Sequence, residues 1–250
     1  MLSLPGRLPP GALLPDTGLP ITGVMRDLGA LWFSFDAALA QMDGDVITGL
    51  PSRTGDAHAR PTEANTGNGR LVRHHGADVL ATAARTNCGF VLSERVECAL
   101  IGIACIYDAP SGPGETLWCV DAKAGDSAVV LDDRGGSLCL TDRNGAVEVT
   151  CATVPGATIQ VVFATVAPDA LSLMASEAAA ATGAFPGSFR AGPCDVYLAC
   201  RRGRQGLLNT LGDLRLGDVI LFPGFDICAP GARRVRDRLR GYARGVFHGV

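Results

Sequence analysis

The sequence predicts an all-β fold, an antiparallel sandwich or barrel, on three observations. First, from residue 88 onward short β-like runs follow one another at 88–93, 97–107, 115–121, 127–132, 137–142, 146–153, 157–166, 170–175 and 195–201. Second, the links between them carry turn chemistry: Pro-Ser-Gly-Pro-Gly at 110–114, Asp-Arg-Gly-Gly at 133–136, Asp-Arg-Asn-Gly at 142–145 and Pro-Gly at 155–156. Strands at this spacing are those of a sandwich or barrel. Third, 250 residues with 32 Gly and only 6% aromatics suit a turn-rich β fold better than a helical bundle. The length is that of one all-β domain with a full core. With 47% hydrophobic and 19% charged residues, disorder is excluded.

Residues 1–24 hold five of the fifteen prolines, which bars a helix or a central strand there. Seven Leu and Ile side chains are interleaved with them. Residues 1–29 are therefore expected to form an extended docking arm, and residues 30–250 the folded domain. Gly29–Asp36 (Gly-Ala-Leu-Trp-Phe-Ser-Phe-Asp) reads as a first strand, and residues 44–80 as loop-rich. Asn144-Gly145 predicts a hairpin with a type I′ turn, which needs positive φ at both central residues. Residues 173–184, with four consecutive Ala at 178–181, fit either a helix or a hairpin arm. One segment is clearly helical. From Pro230 to Tyr242 the residues Val235, Leu239 and Tyr242 recur at i, i+4 and i+7 as one apolar stripe, and Arg residues take the remaining faces. Asp237 can offset one or two of these arginines.

The formal net charge of −3 gives no global reason to expect nucleic-acid binding. Of 22 basic residues only Lys123 is Lys, a bias first of all of GC-rich coding. Yet six Arg fall within 233–244 and three within 201–204, so two basic patches are hidden in an acidic chain. Nine Cys (88, 98, 105, 119, 139, 151, 194, 200, 228) sit largely in apolar runs without zinc-ligand spacing. They are read as reduced core thiols, which implies folding in a reducing cytoplasm. Prolines interrupt every early apolar run, so neither a secretion signal nor a membrane span is expected.

Catalytic patterns are missing. Glycoside hydrolysis needs two carboxylates facing one bond. The chain has six Glu; Glu94 and Glu97 would point to opposite faces of a strand, and so would the neighbours Asp132 and Asp133. No nucleophile elbow, phosphate loop or zinc helix occurs. Asp108, Asp121, Asp126, Asp132 and Asp133 lie at loop edges, where Asp commonly forms turns. No metal and no cofactor is predicted. His74-His75 reads as structural or loop-exposed, and Trp118 and Tyr107 as core.

Four segments carry a family resemblance. They are Leu31-Trp32-Phe33-Ser34-Phe35-Asp36, the turn from Val46 to Asp56, the Val-Arg-x-x-Gly-x-Asp segment from Leu71 to Leu80, and the strand from Leu216 to Phe222 followed by the helix. In this order they resemble the concanavalin A-like jelly roll, in particular the laminin-G-like domains of phage and bacterial surface proteins. The sequence departs from that pattern at Leu50, His74-His75 and Asp218. The resemblance implies a jelly-roll β-sandwich with a C-terminal amphipathic helix. It also implies a non-enzymatic component of a phage or phage-like particle, of spike, fibre or tail-tip type, that binds host cell-surface polysaccharide. Such a component would assemble in the bacterial cytoplasm as a homo-oligomer, contact other particle proteins through its N-terminal arm, and end on the virion surface. Alternatives are a structural base or adaptor for another fibre, and a glycan-cleaving enzyme. The expected ligand-binding residues are Arg201, Arg202, Arg204 and Asn209 of the basic loop, with Asp132 and Asp133. Arginine forks there match the carboxylates or phosphates of an acidic ligand.

Overall fold

A computed structural model describes residues 21–62, 69–82, 88–108, 115–122, 127–175, 178–185, 192–201 and 214–247. In chain order the elements are α1 (Ile21–Asp27), β1 (Leu31–Ser34), β2 (Gln41–Asp43), β3 (Val46–Pro51), β4 (His58–Pro61), β5 (Arg70–His74), β6 (Ala77–Ala81), β7 (Phe90–Leu92), β8 (Val96–Glu97) and β9 (Ile101–Asp108). They continue as β10 (Glu115–Asp121), β11 (Ala128–Asp133), β12 (Ser137–Asp142), β13 (Glu148–Ala152), β14 (Ile159–Val166), β15 (Ala170–Met174), β16 (Ala181–Ala184), β17 (Pro193–Leu198), β18 (Arg215–Pro223) and α2 (Arg233–Val246).

The strands form two antiparallel sheets stacked as a sandwich, the predicted all-β class with its closing helix. One sheet runs β16-β15-β14-β9-β18-β6-β5, and β1 pairs with β18 beyond the reach of β6. The other runs β13-β12-β11-β10-β17-β7-β4-β3-β2, with β8 on β17. Between them lies the main core, which includes Phe33, Phe90, Leu117, Trp118, Leu131, Leu140 and Leu221. Trp118 and Tyr107 are buried there, as the sequence predicts.

The first sheet is covered on its outer face as well. Trp32, Ile106, Phe163, Ile220 and Phe222 project outward and pack under α1 and α2, against Met25, Leu239, Tyr242 and Phe247. Burial on both faces explains why β9 and β14 are near-continuous apolar runs rather than alternating ones. In β3, by contrast, exposed and buried residues alternate through Val46-Ile47-Thr48-Gly49, the mark of one wet face.

Several local expectations are corrected. The helix α1 occupies Ile21–Asp27, where an extended arm was expected. All five N-terminal prolines precede it, and Ile21 and Met25, four apart, bury one face. Gly29, at φ 65°, ends it by donating to the Arg26 carbonyl at 2.9 Å. Residues 1–20, the rest of that arm, lie outside the described residues. The loop-rich stretch 44–80 in fact contains β3 to β6. The alanines of 173–184 contribute to a hairpin, β15 with β16, because sheet packing overrides helix propensity. At Asn144-Gly145 only the glycine has positive φ (68°), so the turn is not type I′; its N–H donates to the Asp142 carbonyl at 3.0 Å. Two consecutive positive φ values occur instead at His75-Gly76 (46° and 85°), between β5 and β6, and at Gly135-Gly136 (71° and 92°), between β11 and β12. Arg236 does not face solvent. It is buried, and its Nη1 donates to the carbonyls of Ile227 and Ala229, both at 2.7 Å.

The docking of α2 depends on one glycine. A Cβ on Gly217 would stand 2.5 Å from Cζ of Phe247, the residue that ends α2. Gly217 also sits at a register shift in β18 between Leu216 and Asp218.

Candidate functional site

The predicted basic-loop site is described only in part. Arg202, Arg204 and Asn209 lie outside the described residues. Arg201, Asp132 and Asp133 are described, and the strand alternation divides them. Asp133 points into the core, where the Tyr107 hydroxyl donates to Oδ2 at 2.7 Å and the Gly136 N–H donates to Oδ1 at 2.9 Å. Burial, with the Asp133 charge next, raises the Tyr107 phenol well above its ordinary value. Asp132 points to the other face. There the Arg201 Nη2 donates to Oδ2, and the Thr116 hydroxyl donates to Oδ1 at 2.8 Å. The Arg201 Nε in turn donates to Thr116 Oγ1 at 3.1 Å.

Arg201 reaches back in this way because Ala199 adopts the left-handed conformation (φ 57°) at the end of β17. That conformation carries a Cβ penalty for any residue but glycine. Arg134 completes the group, 3.9 Å from Asp132 and 3.5 Å from Glu148. Two guanidinium groups and two carboxylates therefore balance one another. Among the described residues, Arg201 and Arg134 thus have carboxylate partners.

A second constellation forms where β1, β18, the β5–β6 hairpin and α2 meet. Its floor is Asp218, fully buried on β18. The Trp32 indole donates to Oδ1 at 2.8 Å, and the Tyr242 hydroxyl donates to Oδ2 at 3.3 Å. The Arg53 guanidinium donates to Tyr242 Oη at 3.1 Å and lies over the Trp32 ring, 4.5 Å from its centre. The Tyr242 and Trp32 rings meet edge to face at 5.0 Å. Burial pushes the Asp218 carboxyl above its ordinary value, and hydrogen bonding from Trp32 together with the charge of Arg53 pulls it partly back. The Tyr242 phenol is raised too, by burial first and the Asp218 charge second.

Above this floor opens a polar cleft of about 120 Å³, lined among others by Ser34, Asp36, Arg53, Arg73, Asp78 and Tyr242. Phe247 and Val246 of the α2 end form its apolar wall. The rim is fixed by local bonds. Arg73 pairs with Asp78 Oδ1 at 3.1 Å, Asp78 Oδ2 accepts the Ala37 N–H at 3.2 Å, and Asp36 Oδ1 accepts the Ala38 N–H at 2.9 Å. Sequence reasoning did not assemble this site. Its members come from separated segments, and each reads alone as a turn, strand or helix residue. The signal available was that the resembling segments contain Trp32, Arg53, Arg73, Asp78 and Asp218 together.

Of the remaining candidates, His74 Nε2 lies 2.8 Å from Asp108 Oδ2 and its ring stacks edge-on with His75 at 4.3 Å. Asp126 is outside the described residues. Among the described residues no group of three or more His, Cys, Asp or Glu side chains converges as a metal site, and no helix is long and apolar enough to cross a membrane.

No protein-family model matches the chain, and neither does any curated protein sequence. Solved structures do. Domain 4 of AbnA, a GH43 extracellular arabinanase from Geobacillus stearothermophilus solved in complex with arabinotriose, is 14% identical with a TM-score of 0.59, over 83% of this chain and 96% of that domain. A mutant of Trypanosoma rangeli sialidase displaying trans-sialidase activity is 13% identical with a TM-score of 0.54, over 82% of this chain. This chain spans only 32% of that sialidase. The botulinum neurotoxin serotype D binding domain is 9% identical with a TM-score of 0.52, over 81% of this chain and 49% of that one. At these identities the likeness establishes the β-sandwich fold.

Proposed function

We propose that this protein is a non-enzymatic, carbohydrate-binding β-sandwich, carried on the surface of a phage or phage-like particle as its sequence resemblance implies. The observation that carries the binding reading is the cleft over Asp218. Sugar hydroxyls donate and accept hydrogen bonds at once, so they suit a surface on which donors and acceptors alternate. The cleft offers that alternation: Arg53 and Arg73 donate, Asp36 and Asp78 accept, and Ser34 does either. Its apolar wall at Phe247 and Val246 suits the C–H face of a ring. At about 120 Å³ it holds the volume of roughly four waters, so it takes the hydroxylated edge of one ring rather than a whole oligosaccharide.

Support for binding without cleavage comes from how the carboxylates are used. Asp218, at the floor, is hydrogen-bonded to Trp32 and Tyr242, and Asp36 and Asp78 are tied to backbone N–H groups. The AbnA domain makes arabinotriose a natural first probe.

The test is titration calorimetry of the full chain with arabinotriose, backed by an array of neutral and acidic oligosaccharides. The variant Arg73→Ala/Asp78→Ala removes the rim pair, exposed Arg73 and half-buried Asp78, and should fold. Binding by the wild type that the variant loses at least tenfold supports the reading. Absence of binding to every glycan, or binding indifferent to the rim, overturns it. Release of reducing sugar from any bound glycan would restore the enzyme.

A further inference from the structure

We infer that the glycan recognised at the cleft is acidic, and that Arg234 and Arg238 of α2 hold its anionic groups outside the cleft. The inference rests on the glycan reading above and adds the ligand's chemical class. Tyr242 and Val246 of α2 line the cleft. Arg238 and Arg234 continue the same i, i+4 row toward the helix N-terminus. At 1.5 Å per residue the row from Val246 to Arg234 spans about 18 Å, a track longer than one sugar ring.

The charges on that track are available. The helix carries six Arg against one Asp, and Asp237 is taken by Arg233 and Arg240, each at 3.8 Å. Among the described residues neither Arg234 nor Arg238 has a carboxylate partner; Arg234 is exposed and Arg238 half-buried.

The helix itself does not account for these cations. Its first turn has no acidic residue, and its N-cap, Ala232, gives no side-chain cap. Arg234, in the first turn, opposes the positive end of the helix dipole, and Arg234 and Arg238, four apart, repel. The chain as a whole is acidic at −3, so the row is a local feature rather than part of a basic surface. Guanidinium forks in such a row match carboxylate or sulfate oxygens. Uronic acids, sialic acids and sulfate esters share this chemistry.

The test compares the full-length wild type with Arg234→Gln/Arg238→Gln. Both are placed on an array holding neutral, uronate-containing, sialylated and sulfated oligosaccharides, at low salt and at about 0.3 M salt, where exposed charges are screened. Circular dichroism checks the helix, which should not weaken when a repelling pair is removed. The wild type should prefer one of the acidic arms, lose that preference at high salt, and lose roughly tenfold in the double variant, since each exposed ion contact is worth up to about fivefold. Neutral oligosaccharides should bind both proteins equally, and the arm retained identifies the acidic group. Neutral glycans bound as tightly as acidic ones, or acidic binding unchanged in the double variant, overturns this inference and leaves the glycan reading standing. No binding on any arm overturns the glycan reading itself.

Discussion

Asp218 gives the sharpest test of the network beneath the cleft. Asp218→Ala would leave the Trp32 indole N–H, fully buried, without its acceptor. An orphaned buried donor costs about 1–3 kcal/mol. Tyr242 would lose an acceptor as well, but its oxygen keeps the Arg53 donor, so the whole loss should be about 2–4 kcal/mol. Asp218→Asn is different. The amide oxygen still accepts from Trp32 and the amide N–H can donate to the Tyr242 oxygen, so only the Tyr242 O–H loses its acceptor and the change at pH 7 should be about 1 kcal/mol.

The pH dependence follows from the raised pKa. The folded state keeps the Asp218 proton at pH values where the unfolded chain, titrating near 3.8, has released it. This group's stabilising contribution is therefore complete below pH 3.8 and is lost as pH rises through the folded value. Asp218→Asn does not titrate, so its stability should improve relative to wild type as pH rises. Urea unfolding of the three proteins at several pH values between about 4 and 8 measures both effects. Equal losses for Asn and Ala would refute the hydrogen-bond argument. A wild type that gains on Asp218→Asn with rising pH would refute the claim that burial dominates the carboxylate.

Gly217→Ala should lower stability by about 1–3 kcal/mol, because its Cβ would meet Phe247 at 2.5 Å; a double-mutant cycle with Phe247→Ala should show less than additive losses in thermal unfolding. Arg201→Ala should cost about 2 kcal/mol, reduced from the fully buried case because the arginine side chain is 33% exposed. Asp132→Asn should cost less than half of that, since the Arg201 charge it leaves unpaired is 33% exposed and reaches water; denaturant midpoints decide. The thiols should react slowly in the native protein, as burial pushes Cys88 and Cys228 up to about 12 and Cys139 up to about 11. A thiol-counting reagent at pH 8 should report few of the nine groups until denaturant is added, and prompt reaction of most of them would contradict the packing.

The strands legible in the sequence were those with a turn at each end and an apolar pattern between. Glu115–Asp121 and Ser137–Asp142 match their predicted limits, because turn residues mark both ends. β2 carried no signal, and β5 none of its own beyond the family resemblance of Leu71–Leu80, for the opposite reason. Gln41–Asp43 is exposed throughout and Arg70–His74 has no fully buried residue, so neither carries a hydrophobic period. The helix α1, at seven residues, is too short for a 3.6 period to stand out. The separation of Asp132 from Asp133 was legible, since alternation requires it. The cleft was not. Arg53 and Tyr242, hydrogen-bonded to each other, are 189 residues apart, and no local pattern reports such a contact.

The position of β18 bears on how the chain reaches its native state. This strand of residues 215–223 lies between β9 on one side and β6 with β1 on the other. Until it emerges from the ribosome, the strands from the first half of the chain present unpaired edges on both sides of the gap. Closing that gap requires pairings such as Trp32 with Ile220, separated by about three-quarters of the sequence. Contacts of such high order make folding slow, and open edges in the meantime invite strand pairing between chains. Truncation before residue 215 would therefore remove the middle of the sheet rather than trim its end. During synthesis, the last strand is the step on which yield should depend.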